Sequence, residues 1–324
     1  MSSATDQSSI GAGRKAILII RDVLPYAGLI LLIVYFSFAS DFFLNTRNFE
    51  RLATDSATLI LVALGMTLVI LLGEIDLSVG AVVALLSVIA AQAMAAGFPW
   101  YGAAVIAVIA GMTIGLANGV ITVVGQIPSF IVTLGMMAIA NGLGYVFTGS
   151  ISVAIMDDTF LDLFYSVSLV GLPVPLWIVV IAFIACVIML DRTVFGRELF
   201  AIGTNAQAAQ LSGVAVRKRK ISVFVIMGLL VGIGAVLSAS RLGSGAPGSS
   251  PALTLDAIAA VIIGGASLFG GKASIVRTLL GALLIAVLNN GMVLLNINVD
   301  SQFIIKGLII LFAVVLERLA VRGT

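Results

Sequence analysis

Ten apolar runs follow one another down this chain, most of them long enough for a helical crossing of a hydrocarbon layer, and they leave room for little else. They lie near residues 23–41, 56–73, 79–96, 101–124, 130–148, 174–191, 219–241, 252–268, 275–296 and 301–320. A bilayer core about 30 Å thick takes about 20 apolar residues in helical conformation. Inside lipid each backbone polar group must find its partner within the protein, so such runs specify helices. Composition agrees, with 61% of the 324 residues apolar and 10% charged, against about 25% charged in a soluble domain. A soluble enzyme would lack the charge to cover its surface. The expected fold is an all-α polytopic membrane protein of about ten transmembrane helices. The third and eighth runs are the weakest, being short and bordered by Gly.

Other classes fall away on residue content. The formal charge of +2 is too small to suggest nucleic acid as a partner. A single cysteine, Cys186, allows no intrachain disulfide and no cysteine-based metal site. The absence of histidine removes the commonest general base and transition-metal ligand. The nearest approach to a phosphate-binding loop, ASLFGGKA at 266–273, lacks the first Gly and the Ser or Thr after Lys272. Any ATP is therefore expected on a partner, and no cofactor on this chain.

Basic residues set the expected orientation. With the N-terminus inside, thirteen of the 17 fall in cytoplasmic segments: Arg14, Lys15 and Arg21; Arg192, Arg197 and Arg217–Lys220; Lys272, Arg277, Arg318 and Arg322. The opposite orientation puts most of the charge on the wrong face. Arg47, Arg51 and Arg241 fall outside, and Lys306 lies within the last span. The run from Val23 to Ala39 is long for a signal-peptide core and no small-residue cleavage site follows it, so a retained anchor is expected. The organisation is thus a cytoplasmic tail at 1–22, one transmembrane domain at 23–320 with a cytoplasmic loop at 191–220, and a cytoplasmic tail at 321–324.

Polar residues interrupt the apolar runs at a few places, and a buried charge there is costly enough to imply a cavity or an interface. LLGEIDLSVGA, 71–81, carries Glu74, Asp76 and Ser78. Asp76 is expected to cap the helix that follows, with Glu74 facing a cavity or a partner. GMTIGLANG, 111–119, spaces Gly by four as closely packed membrane helices do, and leaves Asn118 over. Asn141, Asn289 and Asn290 are further amides within spans, and Asp256 opens the run LDAIAAVIIGG, where the N-terminal end of a helix favours its charge. These eight, from Glu74 to Asn290, are the candidate pathway residues. Asn-Gly late in two oppositely directed spans suggests an inverted internal repeat. The Gly-Gly pairs at 264–265 and 270–271 predict that the eighth run breaks before its end. FGRELFAIGTNAQAAQLSGVAV, 195–216, is short and amphipathic; its Ala and Gly residues suit docking to a soluble partner better than lying on lipid.

These segments, in this order, resemble the permease subunits of ABC importers for monosaccharides, the ribose, xylose and arabinose group. The resemblance runs from about Asn48 to Glu317 and rests on GMTLVILLGEIDLSVG, PSFIVTLG, GTNAQAAQLSGV, LDAIAAVIIGG and LNNG together. It implies a vitamin B12-importer-like, type II-like fold with an inverted pseudo-repeat, and alternating access driven by a partner. It also implies a homodimer, a cytoplasmic tandem-cassette ATPase holding ATP and Mg²⁺, a periplasmic or lipid-anchored sugar-binding protein, and residence in a bacterial inner membrane. The coupling contacts it implies are Gly203, Asn205, Ala208, Ala209, Ser212 and Gly213, with Gln207 and Gln210 where many relatives carry Glu and Arg, and Thr254 where many have Glu. Glu74 looks more like the xylose branch, which favours a pentose. A permease for a nucleoside, an autoinducer or a sugar alcohol is the close alternative. An ion-coupled secondary transporter using Glu74 and Asp76, or a scaffolding membrane protein, is the distant one.

Overall fold

The computed structural model describes residues 25–165, 168, 169 and 171–322. The tail read at 1–22 and the final two residues lie outside them. Helix α1 spans Pro25–Ala39. It is followed by α2 (Thr46–Asp55), α3 (Ala57–Leu71), α4 (Val79–Ala95), α5 (Trp100–Gly125), α6 (Ser129–Thr148), α7 (Asp158–Tyr165) and α8 (Val174–Arg192). Then come α9 (Val194–Thr204), α10 (Ala206–Leu211), α11 (Val216–Leu242), α12 (Leu253–Ile263), α13 (Ile275–Leu294) and α14 (Val299–Arg322). Every expected run carries a helix. Among the described residues six, with α2 and α3 taken as one, are long and apolar enough to cross a membrane. The eighth run ends early, as its glycines foretold: α12 stops at Ile263, and Gly265, at φ +82°, turns the chain away. At 1.5 Å per residue, eleven residues reach only about half the depth of the hydrocarbon.

Burial separates the centre of the bundle from its rim. Of the most apolar 18 residues in Thr46–Leu71, 89% are buried, against 17% of those in α6, which is also apolar. A helix apolar all round and buried all round belongs in the middle. α3 sits there, against α11, α12, α13 and α8. α5, α6 and α8 turn Val105, Ile109, Val146, Ile181 and Ile184 outward.

The glycine stripe of α5 does what its spacing predicted. Gly111 lies against Gly228 and Gly232, Gly115 against Phe224 and Gly228, and Gly119 against Ile221, so α5 and α11 pack antiparallel with their backbones nearly touching. A side chain at Gly115 would drive into the carbonyl of Phe224. Close approach of this kind supplies the van der Waals contact that holds helices together in lipid.

Two breaks in the helices shape the interior. After α3, Gly73 takes φ +72° and residues 74–78 form no regular helix or strand. Their backbone donors are met by side chains: Ile75 N–H donates to Ser129 Oγ (3.0 Å) and Leu77 N–H to Thr133 Oγ1 (3.0 Å). Gly80 N–H, in the first turn of α4, donates to Thr254 Oγ1 (3.0 Å). Irregular backbone survives at membrane depth only when satisfied in this way. The second break, 264–274, folds back so that Gly271 N–H donates to Leu71 O (2.9 Å). At the other end, Val153–Ala154 pairs antiparallel with Ser244–Gly245, and α7 packs beneath them through Phe160.

Candidate functional site

The N-termini of α4 and α12 meet inside the bundle. Segment 74–78 leads inward from the end where Leu71, Gly203 and Gly271 converge, and 246–252 leads inward from the end that holds Arg241. They touch at Gly80, which lies against Ser250 O and Thr254. Each N-terminus carries a buried aspartate matched to an asparagine on the helix that follows: Asp76 with Asn118 of α5, and Asp256 with Asn289 of α13.

The Asp256 cluster faces a cavity of about 320 Å³. Its lining includes Asp55 at the end of α2 and Ser56 between α2 and α3, Arg241 at the end of α11, Ser249 and Ser250 before α12, and Asn289 and Asn290 of α13. Asp256 stands in the first turn of α12, as expected, where the helix dipole favours its charge. Its Oδ2 accepts from Lys306 Nζ (3.0 Å) and from Asn289 Nδ2 (3.0 Å). Lys306 was legible as a lone cation in the last span, but its partner lies fifty residues away in the chain and only the fold reveals it. Asn290 makes a reciprocal amide pair with Asn48, donating at 2.8 Å and accepting at 3.0 Å. Asp55 and Arg241 pair at 3.3 Å on the rim.

The Asp76 cluster is sealed. Ser78 donates to Asp76 Oδ1 through both its N–H (2.9 Å) and its hydroxyl (2.6 Å), and Asn118 Nδ2 donates to Ser78 Oγ (3.2 Å). Asp76 thus makes an Asx-type turn at the residue preceding α4, one step earlier than a first-turn cap. The space beside it, about 10 Å³, is bounded by the glycine contact of α5 and α11. Glu74 lines neither cavity; it pairs with Lys220 at the start of α11. Asn141, half-buried on α6, lines neither as well.

The loop of residues 193–215 forms two helices at an angle rather than one. Asn205, extended at φ −159°, ends α9 and caps α10, its Oδ1 accepting from Ala208 N–H (2.9 Å). α10 ends in a Schellman turn: Val214 N–H donates to Ala209 O, Gly213 N–H to Gln210 O, and Gly213 takes φ +88°. Ala208, Ser212 and Gly213 are exposed. Two residues expected beside them are not. Ala209 is buried in the core cluster, and Gly203 is pressed against Leu71 O and Gly271. On so short a helix only one face can look outward, and small residues serve the inward one. The outward tip instead carries Leu211, 84% exposed, which spacing alone did not single out. Arg219 ties α9 to α11 by pairing with Glu198 and lying 5.2 Å over the Phe195 ring.

A bundle of long apolar helices, broken where two buried polar clusters meet and lined there by a half-open cavity of mixed polar and apolar wall, defines a multi-pass membrane transport protein. The chain belongs to the family described as the permease component of the branched-chain amino acid transport system, whose model matches residues 48–314. It is 38% identical over 295 residues to the ribose import permease protein RbsC of Haemophilus influenzae, covering 90% of this chain and 91% of that protein. It is 39% identical over 292 residues to RbsC of Escherichia coli K12, covering 89% and 91%. It is 37% identical over 276 residues to the L-arabinose ABC transporter permease protein AraH of Azospirillum brasilense, covering 85% and 81%. No solved structure matches the chain.

Proposed function

We propose that this chain is the permease subunit of an ATP-driven importer that moves a monosaccharide, a pentose in the first instance, across a bacterial inner membrane. The observation that carries the reading is the run of ribose and arabinose permeases 37–39% identical over most of the chain. The cavity agrees with a sugar rather than an amino acid. An amino-acid zwitterion needs one free charge of each sign, whereas the acids on the cavity wall, Asp55 and Asp256, are already bound to Arg241 and Lys306.

The finer reading has ten crossings, both termini cytoplasmic, and a vitamin B12-importer-like fold working as a homodimer. The matched clusters at Asp76–Asn118 and Asp256–Asn289, entered from opposite ends, support an inverted pseudo-repeat. A tandem-cassette ATPase, holding ATP and Mg²⁺, docks on the exposed face of α10 through Asn205, Ala208, Leu211, Ser212 and Gly213. A sugar-binding protein delivers the solute from the other side. Gly203 and Ala209 serve the same coupling from within, by seating α9 and α10 on the core. Xylose stays first among pentoses on Glu74. An ion-coupled transporter is disfavoured because Glu74 is spent on Lys220 and Asp76 is closed in.

The test is uptake of D-ribose, L-arabinose and D-xylose into vesicles holding this chain with its ATPase and binding protein. Uptake is expected only with internal ATP. Uptake that persists without ATP and collapses with an uncoupler would overturn the reading.

A further inference from the structure

Three chain ends meet backbone to backbone at the end of the bundle that carries α9. Gly203, in the last turn of α9, is pressed against Leu71 O at the end of α3 and against Gly271 in the turn after α12. A Cβ on Gly270 would stand 2.9 Å from both Gly203 O and Gly73 N. Gly271 lies against Thr204 and donates its N–H to Leu71 O (2.9 Å). The turn itself is closed and not slack, because Ser267 N–H donates to Lys272 O (2.9 Å) and Gly270 N–H to Ser267 O (3.0 Å). Gly271 takes φ +77°, a conformation that glycine adopts without penalty and that allows this approach.

Two routes run inward from this joint. Gly73 leads into 74–78 and the N-terminus of α4, and the turn 264–274 leads back into α12. They meet again where Gly80 N–H donates to Thr254 Oγ1 (3.0 Å). The result is a closed frame, with α9 at one corner and the paired N-termini of α4 and α12 at the opposite one. Neighbouring residues of α11 brace it, Lys220 pairing with Glu74 and Arg219 with Glu198 of α9. The α5–α11 contact is also rich in glycine, but it joins two continuous helices and has no break to move. Close-packed protein hardly compresses and so transmits displacement. Backbone against backbone has no side-chain rotamers to absorb it.

We infer that Gly203, Gly270 and Gly271 are positioning residues for transport. They make the end of α9 and the turns after α3 and α12 one rigid body, so that a displacement of α9–α10 reaches the inner ends of α4 and α12 together. The inference rests on the permease reading above and deepens it by naming the route from the loop to the cavity.

The experiment reads sugar moved and ATP hydrolysed by the full chain in vesicles with its ATPase and sugar-binding protein. Gly271→Ala, whose Cβ would meet Thr204 Oγ1 at 3.0 Å, should keep the ATPase bound and hydrolysing. Sugar moved per ATP should fall by about fivefold or more. Gly119→Ala, at the α5–α11 contact, should lower both rates in proportion and leave that ratio unchanged, as any purely structural loss would. Hydrogen exchange of the wild-type complex, free of nucleotide and trapped with ATP and vanadate, keeps the test open should Gly271→Ala fold poorly. Exchange at 74–78 and at 264–268 should change together, while Gly271 N–H stays protected in both states. A change confined to one of the two segments, or protection lost at Gly271, would overturn the joint. Wild-type uptake with an unchanged ratio in folded Gly271→Ala sinks the joint alone. No ATP-dependent uptake by the wild type sinks the permease reading and the joint with it.

Discussion

Asp256 and Lys306 form an ion pair among helices, both nearly closed off from solvent. Charges withdrawn from water are tolerable only while each has the other, so removing one partner should cost more than removing both. Lys306→Ala is expected to destabilise the protein by about 3–5 kcal/mol. The double change Asp256→Asn with Lys306→Met should recover most of that loss, as read by thermal unfolding in detergent. If the double variant is no more stable than the single one, the pair does not hold α12 to α14. The acid and the cation were each visible as breaks in apolar runs, but their pairing was not. The same holds for Glu74 and Lys220: partners so far apart in the chain leave no local pattern.

At the scale of elements, the irregular segment 74–78 depends on hydroxyls lent by its neighbours. Thr133 accepts from Leu77 N–H, so Thr133→Val leaves that donor buried and unmatched, at a cost of about 1–3 kcal/mol. Thr133→Ser keeps the oxygen and should stay near wild type; equal losses in the two, measured by unfolding, would show that packing and not the hydrogen bond matters. The helix pair α9–α10 gives a second contrast. Leu211→Asp changes an exposed tip and should leave a folded permease that loses its ATPase on purification. Ala209→Trp overpacks a buried position and should lower the yield of folded protein, at about 1–3 kcal/mol or more. Similar folded yields for the two would contradict the inward placement of Ala209. Sequence revealed this segment as amphipathic and rich in small residues. The kink at Asn205 reassigns which of those residues face out, and it arises from one side-chain cap that periodicity does not register.

The whole molecule is a bundle whose most buried member, α3, is surrounded by helices that are apolar outside as well. If those outer faces meet lipid, a charge on them should block insertion. Ile181→Asp, at an exposed position within α8, is expected to cost about 2.5–3.5 kcal/mol and to lower the amount recovered in the membrane fraction. Met156→Asp, at a still more exposed position but in the segment between α6 and α8, should be tolerated. Equal recovery of the two would mean that α8 faces water.

Hydropathy alone determined that the chain is a helical membrane bundle and where its apolar helices lie, because lipid demands long apolar runs with satisfied backbones. Glycine spacing determined the close contact of α5 with its partner, and the Gly-Gly pairs the early end of α12, because both are local in sequence. The tertiary structure decided the rest: that α11 is that partner, that the N-termini of α4 and α12 meet, and that Asp256, Asn289 and Lys306 form one cluster. Those facts depend on which helices become neighbours, and packing sets that between residues that no spacing along the chain relates.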